Sequence, residues 1–108
     1  MIIDFNDIKG EVIKNFKGGE KEITMRAYVD SENRIMKCTL EPGASIGMHT
    51  HDNNREILFI VSGHGYMLED GTKKPVAAGQ CAYCPKGGSH SLVNDSNEPL
   101  VFCAVVAQ

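Results

Sequence analysis

His49 and His51 stand one residue apart, Glu56 follows five positions after His51, and His90 lies in a glycine-rich segment of its own. Three of the chain's four histidines fall into this arrangement. Three imidazoles and one carboxylate form a donor set that divalent transition metals accept while keeping room for water or substrate. With four protein ligands on a six-coordinate ion, two positions stay open, as in a Lewis-acid or oxygen-binding centre. The plainer alternative for an isolated His-x-His-x4-Glu is a pair of surface histidines beside an exposed glutamate.

The elements that must carry these residues are strands. Residues two apart on a strand point to the same side, so His49 and His51 can reach one metal together. Glu56 is an odd number of positions from both, and one unbroken strand would place it on the opposite face. The polar run Asp52-Asn53-Asn54-Arg55 supplies a turn or bulge that starts a new strand beside the first. From there Glu56, Leu58 and Ile60 share one face, and Ile57, Phe59 and Val61 the other. His90 is then expected from a sequence-distant strand across the barrel. Asn53, Asn54 and backbone carbonyls are the candidates to accept the second N–H of a ligating histidine.

Nearly all of the remaining chain has the same strand-and-turn character. Ile23–Val29 and Ile35–Leu40 are separated by Asp30-Ser31-Glu32-Asn33, and Met36, Cys38 and Leu40 alternate with Lys37, Thr39 and Glu41. Such alternation is the period of a half-buried strand. Tyr66–Leu68 and Lys73–Val76 flank Asp70-Gly71, a short hairpin signal. Cys81–Cys84 is stopped by Pro85, and Ser89–Val93 and Leu100–Val106 complete the series. Short strands with Gly, Pro and Asn between them indicate an all-β sandwich or barrel. A helix is arguable only over the first 15 or so residues, where Ile8, Val12 and Ile13 fall near helical spacing.

Two frames enclose the four candidate ligands. Gly43, His49, His51, Glu56 and Gly63 meet the pattern G-x5-H-x-H-x(3,4)-E-x6-G over residues 43–63. Gly79, Pro85, Gly87, His90 and Asn94 meet G-x5-P-x-G-x2-H-x3-N over residues 79–94. In both motifs and their order the chain resembles the cupin superfamily, in its small single-domain, conserved-barrel form. The resemblance implies a double-stranded β-helix, that is, a jelly-roll barrel. It implies one cupin domain over residues 1–108, with residues 1–22 as an N-terminal extension. It also implies a metal in the barrel mouth held by His49, His51, Glu56 and His90. Fe, Mn, Ni, Co and Zn all suit that donor set, so the identity of the ion stays open.

At 108 residues the chain has room for one modest core, and none for an enzyme domain together with a DNA-binding one. The net charge of −3 and the scattered lysines and arginines argue against a nucleic-acid partner. Lys9, Lys14, Lys17 and Lys21 form the largest basic group and are expected to be a solvated face. No apolar run approaches the roughly 20 residues of a membrane span, and Asp4 stands where a secretion signal would carry positive charge. Cys38, Cys81, Cys84 and Cys103 have no paired framework spacing, which suits reduced thiols and a cytoplasmic location. On a strand, Cys81 and Cys84 would face opposite sides and could neither pair nor chelate together. Cys38 is expected as core filler on the strand feeding His49, where it could also line the cavity. His64, between two glycines, is expected as a turn residue outside the metal shell; Met48 stands where a thioether could shape the pocket and is assigned no chemistry. Tyr83 and Lys86, flanking the motif proline, are the candidates for binding substrate or moving a proton, with an exposed lysine and a packed tyrosine as the default reading.

Two functions follow. In the first, the chain is a metal-dependent enzyme of isomerase, lyase or dioxygenase type acting on a small polar or carbonyl-bearing molecule. In the second, it is a non-catalytic module that holds a small ligand on its metal. A purely structural metal is the third and blandest possibility. The resemblance also implies a homodimer, for which Ile2, Ile3 and Phe5 and the Ile57, Phe59, Val61 face offer apolar surface.

Overall fold

Met36, Cys38 and Leu40 are buried while the residues between them are only partly covered, and this two-residue alternation recurs along most of the strands. The computed structural model describes residues 1–108. Its strands are β1 (Glu11–Lys14), β2 (Glu22–Val29), β3 (Asn33–Leu40), β4 (Ser45–Thr50), β5 (Arg55–Ser62), β6 (His64–Glu69), β7 (Thr72–Ala77), β8 (Cys81–Cys84), β9 (Ser89–Val93) and β10 (Leu100–Ala107). The helical segments are two short 3₁₀ turns, Phe5–Asp7 and Phe16–Gly18. No helix is long and apolar enough to cross a membrane.

The strands form two sheets, ordered β1-β2-β3-β10-β5-β8 and β4-β9-β6-β7, with antiparallel pairing throughout. From β3 onward the chain changes sheet at every step except the β6–β7 hairpin, which is the winding of a double-stranded β-helix. The two sheets face each other without closing into a single ring. Between them lies the core: Ile23, Met25, Leu58, Ile60 and Phe102 from the larger sheet meet Ile46, Met67 and Leu92 from the smaller. Burial of each such side chain contributes about 1.5–3 kcal/mol relative to exposure.

The motif glycines serve the turns. Gly43, Gly63, Gly79 and Gly87 have φ of +82°, +83°, +93° and +84°, a region that a Cβ makes costly. Backbone hydrogen bonds then tie the two motifs together at both ends. At one end, Gly43 N–H donates to Asn94 O and Asn94 N–H to Ala44 O, both at 2.9 Å. At the other, His51 N–H donates to Gly88 O at 2.9 Å and Gly87 N–H to His51 O at 2.7 Å.

The helix suggested by Ile8, Val12 and Ile13 is not formed. Glu11–Lys14 instead runs as β1 along the edge of β2, from Glu11↔Met25 to Lys14↔Glu22. An open strand edge offers a row of unpaired N–H and C=O groups, whereas Gly10 disfavours helix by about 1 kcal/mol. Pairing along that edge therefore prevails over a weak local periodicity.

Candidate metal centre

A β-bulge aims the first histidine. β4 pairs with β9 as Ile46↔Leu92 and then His49↔His90, so β4 carries one residue more than its partner between these pairs. In an unbroken strand Ile46 and His49 would face opposite ways; the extra residue turns both inward. Ile46 enters the core, and the buried Ser91 hydroxyl donates to its carbonyl at 2.7 Å. Gly47, in the bulge, lies against the Phe16–Gly18 turn: a Cβ there would stand 2.0 Å from the Lys17 carbonyl oxygen. His51 follows just after β4, buried, with its backbone held by Gly87 and Gly88.

Glu56 is the second residue of β5 and is buried. Here two expectations need correction. β5 does not lie beside β4; it belongs to the facing sheet. His90 does not come from across the barrel, because β9 is the hydrogen-bonded neighbour of β4. The polar segment after His51 carries the chain from one sheet to the other, so His49 and His90 sit on one sheet with His51 just past its end, and the carboxylate reaches them from the opposite sheet.

The four side chains converge so that one ligand atom from each lies within 4.8 Å of all the others, a set that could hold a metal ion. Glu56 Oε1 is 2.8 Å from His90 Nε2 and 3.4 Å from His51 Nε2. His51 Nε2 and His90 Nε2 are 3.1 Å apart. The ring centroids lie 4.9 Å (His49–His51), 4.7 Å (His49–His90) and 5.0 Å (His51–His90) from one another.

Hydrogen bonds set the tautomers. His49 Nδ1–H donates to the Gly47 carbonyl at 2.8 Å, and His51 Nδ1–H to Asn54 Oδ1 at 2.6 Å. Each bond leaves Nε2 with a free lone pair. One shared proton could serve only part of the tight contact among Glu56, His51 and His90, whereas a cation between them serves every donor. Ligands at about 2.1 Å from an ion and at right angles also stand about 3 Å apart, close to the spacing seen here. The residues present therefore fit a divalent metal. Burial pushes the His49 pKa below the ordinary histidine value, opposed in part by its bond to Gly47, so this imidazole stays neutral further into acid than a free one.

Beneath the cluster, an apolar cavity of about 30 Å³, lined by Met36, Cys38, Leu58 and Phe102 among others, has space for a water-sized group. Above it a mouth of about 420 Å³ opens, in which Glu11, Lys17, Arg34 and Asn54 join His49, His51 and Glu56. Lys17 is exposed, as expected from sequence, and also lines the mouth. Arg34 carried no local signal at all; only the register of β3 places it there.

The family model described as "Cupin domain" matches residues 36–106. The chain is a cupin. An oxalate-binding protein of Thermotoga maritima is 32% identical over 112 residues, covering 98% of this cupin and 93% of that protein. A crystal structure of a predicted oxalate decarboxylase from Thermotoga maritima superposes with a TM-score of 0.93 at 32% identity, covering 99% of this chain and 98% of the other. The oxalate decarboxylase OxdC of Bacillus subtilis is 35% identical over 72 residues, 62% of this cupin but 19% of that longer protein.

Other residues singled out from sequence fall away from the centre. Tyr83 is 56% exposed on β8, where strand alternation sends Cys84 inward and Tyr83 out. Lys86 is exposed in the following turn. Neither lines the floor or the mouth of the cavity. His64 is the first residue of β6, not a turn residue, and is exposed outside the cluster. Met48 is exposed and lines neither cavity.

Asn54→Ala removes the acceptor that orients His51 and should weaken metal affinity by about 10–100-fold, measured by competition with a chromophoric chelator. Unchanged affinity would show that the Nδ1 bond has no role in holding the ion. Burial, with a smaller push from the Glu56 charge, raises the Cys38 pKa to about 12, and burial raises that of Cys84. All four thiols are free, and Cys81 is the exposed one. Since the thiolate is the reactive form, Ellman's reagent should titrate Cys81 fast in the native cupin, and Cys38 and Cys84 only after unfolding. Rapid native labelling of Cys38 would contradict this.

Proposed function

We propose that this cupin binds a divalent transition metal through His49, His51, Glu56 and His90 and, on that metal, a small chelating dicarboxylate of the oxalate class. The observation that carries the reading is the convergence of three imidazole nitrogens and one carboxylate, two of the imidazoles with tautomers set by Gly47 and Asn54, beneath an open mouth. When bound, the metal would supply a Lewis acid with positions open to two ligand oxygens. Around it Glu56 offsets part of the positive charge, Lys17 and Arg34 attract an anion, and Met25 and Met36 keep the inner side dry. The 32% identity to an oxalate-binding protein over nearly its whole length supports the ligand class.

Binding is favoured over turnover. The sequence-based candidates for proton transfer, Tyr83 and Lys86, lie outside the cavity, and Cys38 keeps its proton. A lyase is the second reading, supported by the identity to an oxalate decarboxylase. In that case oxalate would lose CO2, and the carbon left with the electron pair would take a proton from solvent at the open mouth to give formate. Calorimetric titration of oxalate into the metal-loaded protein should give one site per chain, with no formate after prolonged incubation. Absence of binding at full metal content sinks the reading, and formate release replaces it by the lyase.

The four free thiols suit a reducing compartment such as the cytoplasm. The outward side of β5 and β8 exposes Phe59 (51%), Val61 (49%) and Tyr83 (56%) as an apolar patch, and a second copy of the chain is its proposed partner. Light scattering should return twice the chain mass of 11.8 kDa; a monomer at micromolar concentration refutes the dimer.

A further inference from the structure

We propose that Arg34 makes the site select a doubly charged ligand, by pairing with the carboxylate oxygens that a chelated dicarboxylate turns away from the metal. The inference rests on the metal-and-dicarboxylate reading above and adds the residue that recognises the second charge.

Register places the guanidinium. Arg34 is opposite Val106, and Val106 is opposite Glu56, so Arg34 and Glu56 lie in one row with a single strand between them. At 4.7–4.9 Å per strand their Cα atoms stand about 10 Å apart. Arg34 is also in phase with Met36 and Cys38, which face inward, and it lines the mouth together with His49, His51 and Glu56. A two-carbon ligand held at the cluster would lie between the donor set and this side chain.

The guanidinium has no other employment. No carboxylate lies within 4.0 Å of it, and its side-chain hydrogen bond runs from Nη1 to the Met25 sulfur at 3.6 Å. A thioether is a weak acceptor, and a guanidinium has five donors to place. Arg26, by contrast, is engaged structurally, donating to the Ile8 carbonyl. Lys17, the other cation of the mouth, also lacks a carboxylate partner and rests its Nζ 5.6 Å from the Phe16 ring centroid. The cluster thus faces two unpaired cations. Of the two, only arginine has the planar fork that meets a pair of carboxylate oxygens.

The cavity sets the direction of the ligand. Its floor, at about 30 Å³, is small and lined mostly by apolar side chains, whereas the mouth is about 420 Å³ and carries the charged groups, so a charged ligand extends outward into the mouth. Oxalate chelating through one oxygen of each carboxylate turns its other two oxygens outward side by side, where the fork can take both. Glycolate chelating through its hydroxyl and one carboxylate oxygen turns a single charged oxygen outward and gives the fork half its target.

The test is calorimetric titration of oxalate, and separately glycolate, into wild type, Arg34→Gln and Arg34→Lys, each loaded with the same metal and assayed for metal content. Arg34→Gln should weaken oxalate by about 10–100-fold, the range for charge-assisted hydrogen bonds, and glycolate several-fold less. Arg34→Lys should recover part of the loss, because an ammonium keeps the charge without the fork. Equal effects on the two ligands, no effect on oxalate, or loss of metal in Arg34→Gln each overturn the inference. Failure of metal-loaded wild type to bind oxalate overturns the parent reading instead, and this inference with it.

Discussion

His90→Ala is expected to yield a folded cupin that no longer retains a divalent metal through dialysis against a weak chelator. His90 is central to the cluster, its Nε2 being 2.8 Å from Glu56 Oε1 and 3.1 Å from His51 Nε2. Loss of a group that merely orients a ligand already costs about 10–100-fold in affinity, so loss of a ligand should cost roughly 100-fold or more. The fold should survive, because β9 keeps its backbone pairing with β4 on one side and β6 on the other. Metal per chain from mass spectrometry, with circular dichroism as the check on folding, decides the matter. A full equivalent of metal in His90→Ala would refute the ligand assignment. His64→Ala is the control: its side chain is 58% exposed and its nearest carboxylate, Glu98, is 3.8 Å away, so neither metal nor stability should change measurably.

The second large effect falls on stability. Asn94 is fully buried and all of its polar groups are used. Its Nδ2 donates to the carbonyls of Leu40 and Glu98, each at 2.8 Å, while Oδ1 accepts from the Ser96 N–H at 3.0 Å and hydroxyl at 2.7 Å. One side chain therefore clamps the end of β3 to the turn between β9 and β10. Asn94→Ala removes four bonds and leaves the buried Leu40 carbonyl without this donor, at a cost of about 3–5 kcal/mol, a large share of the 5–15 kcal/mol that holds a typical domain together. Urea unfolding followed by circular dichroism measures it. Asn94→Asp should be at least as damaging, since a carboxylate would face two carbonyl oxygens where the amide donates. A loss under 1 kcal/mol in Asn94→Ala would mean that water replaces the side chain at no net cost.

Much of this centre was legible before the fold was known. The ligand types were, because metal chemistry admits few side chains and four such residues recur within the two frames. The turns were also legible, since the motif glycines stand at positive φ, a local steric demand that residue type alone satisfies. Strand alternation identified Met36, Cys38, Leu40, Leu58 and Ile60 as inward-facing, as they are.

Other parts were hidden for one common reason: they depend on partners distant in the chain. Local pattern at Ile8, Val12 and Ile13 could not reveal that β2 presents an edge to pair with. Closeness in sequence to Pro85 does not fix which way a side chain points: Lys86 is exposed, its default reading, whereas strand phase turns Tyr83 outward, against a packed tyrosine.

By itself, then, the sequence determined which four residues could hold an ion, where the backbone must bend and which strand faces are apolar, because each follows from chemistry or sterics within a few residues. The tertiary structure alone decided that His49 and His90 pair on one sheet, with His51 just past its end, while the glutamate comes from the other, and that Arg34 and Lys17 line the mouth. These follow from sheet order and register, which depend on how faces from the whole chain bury one another and which no single segment encodes.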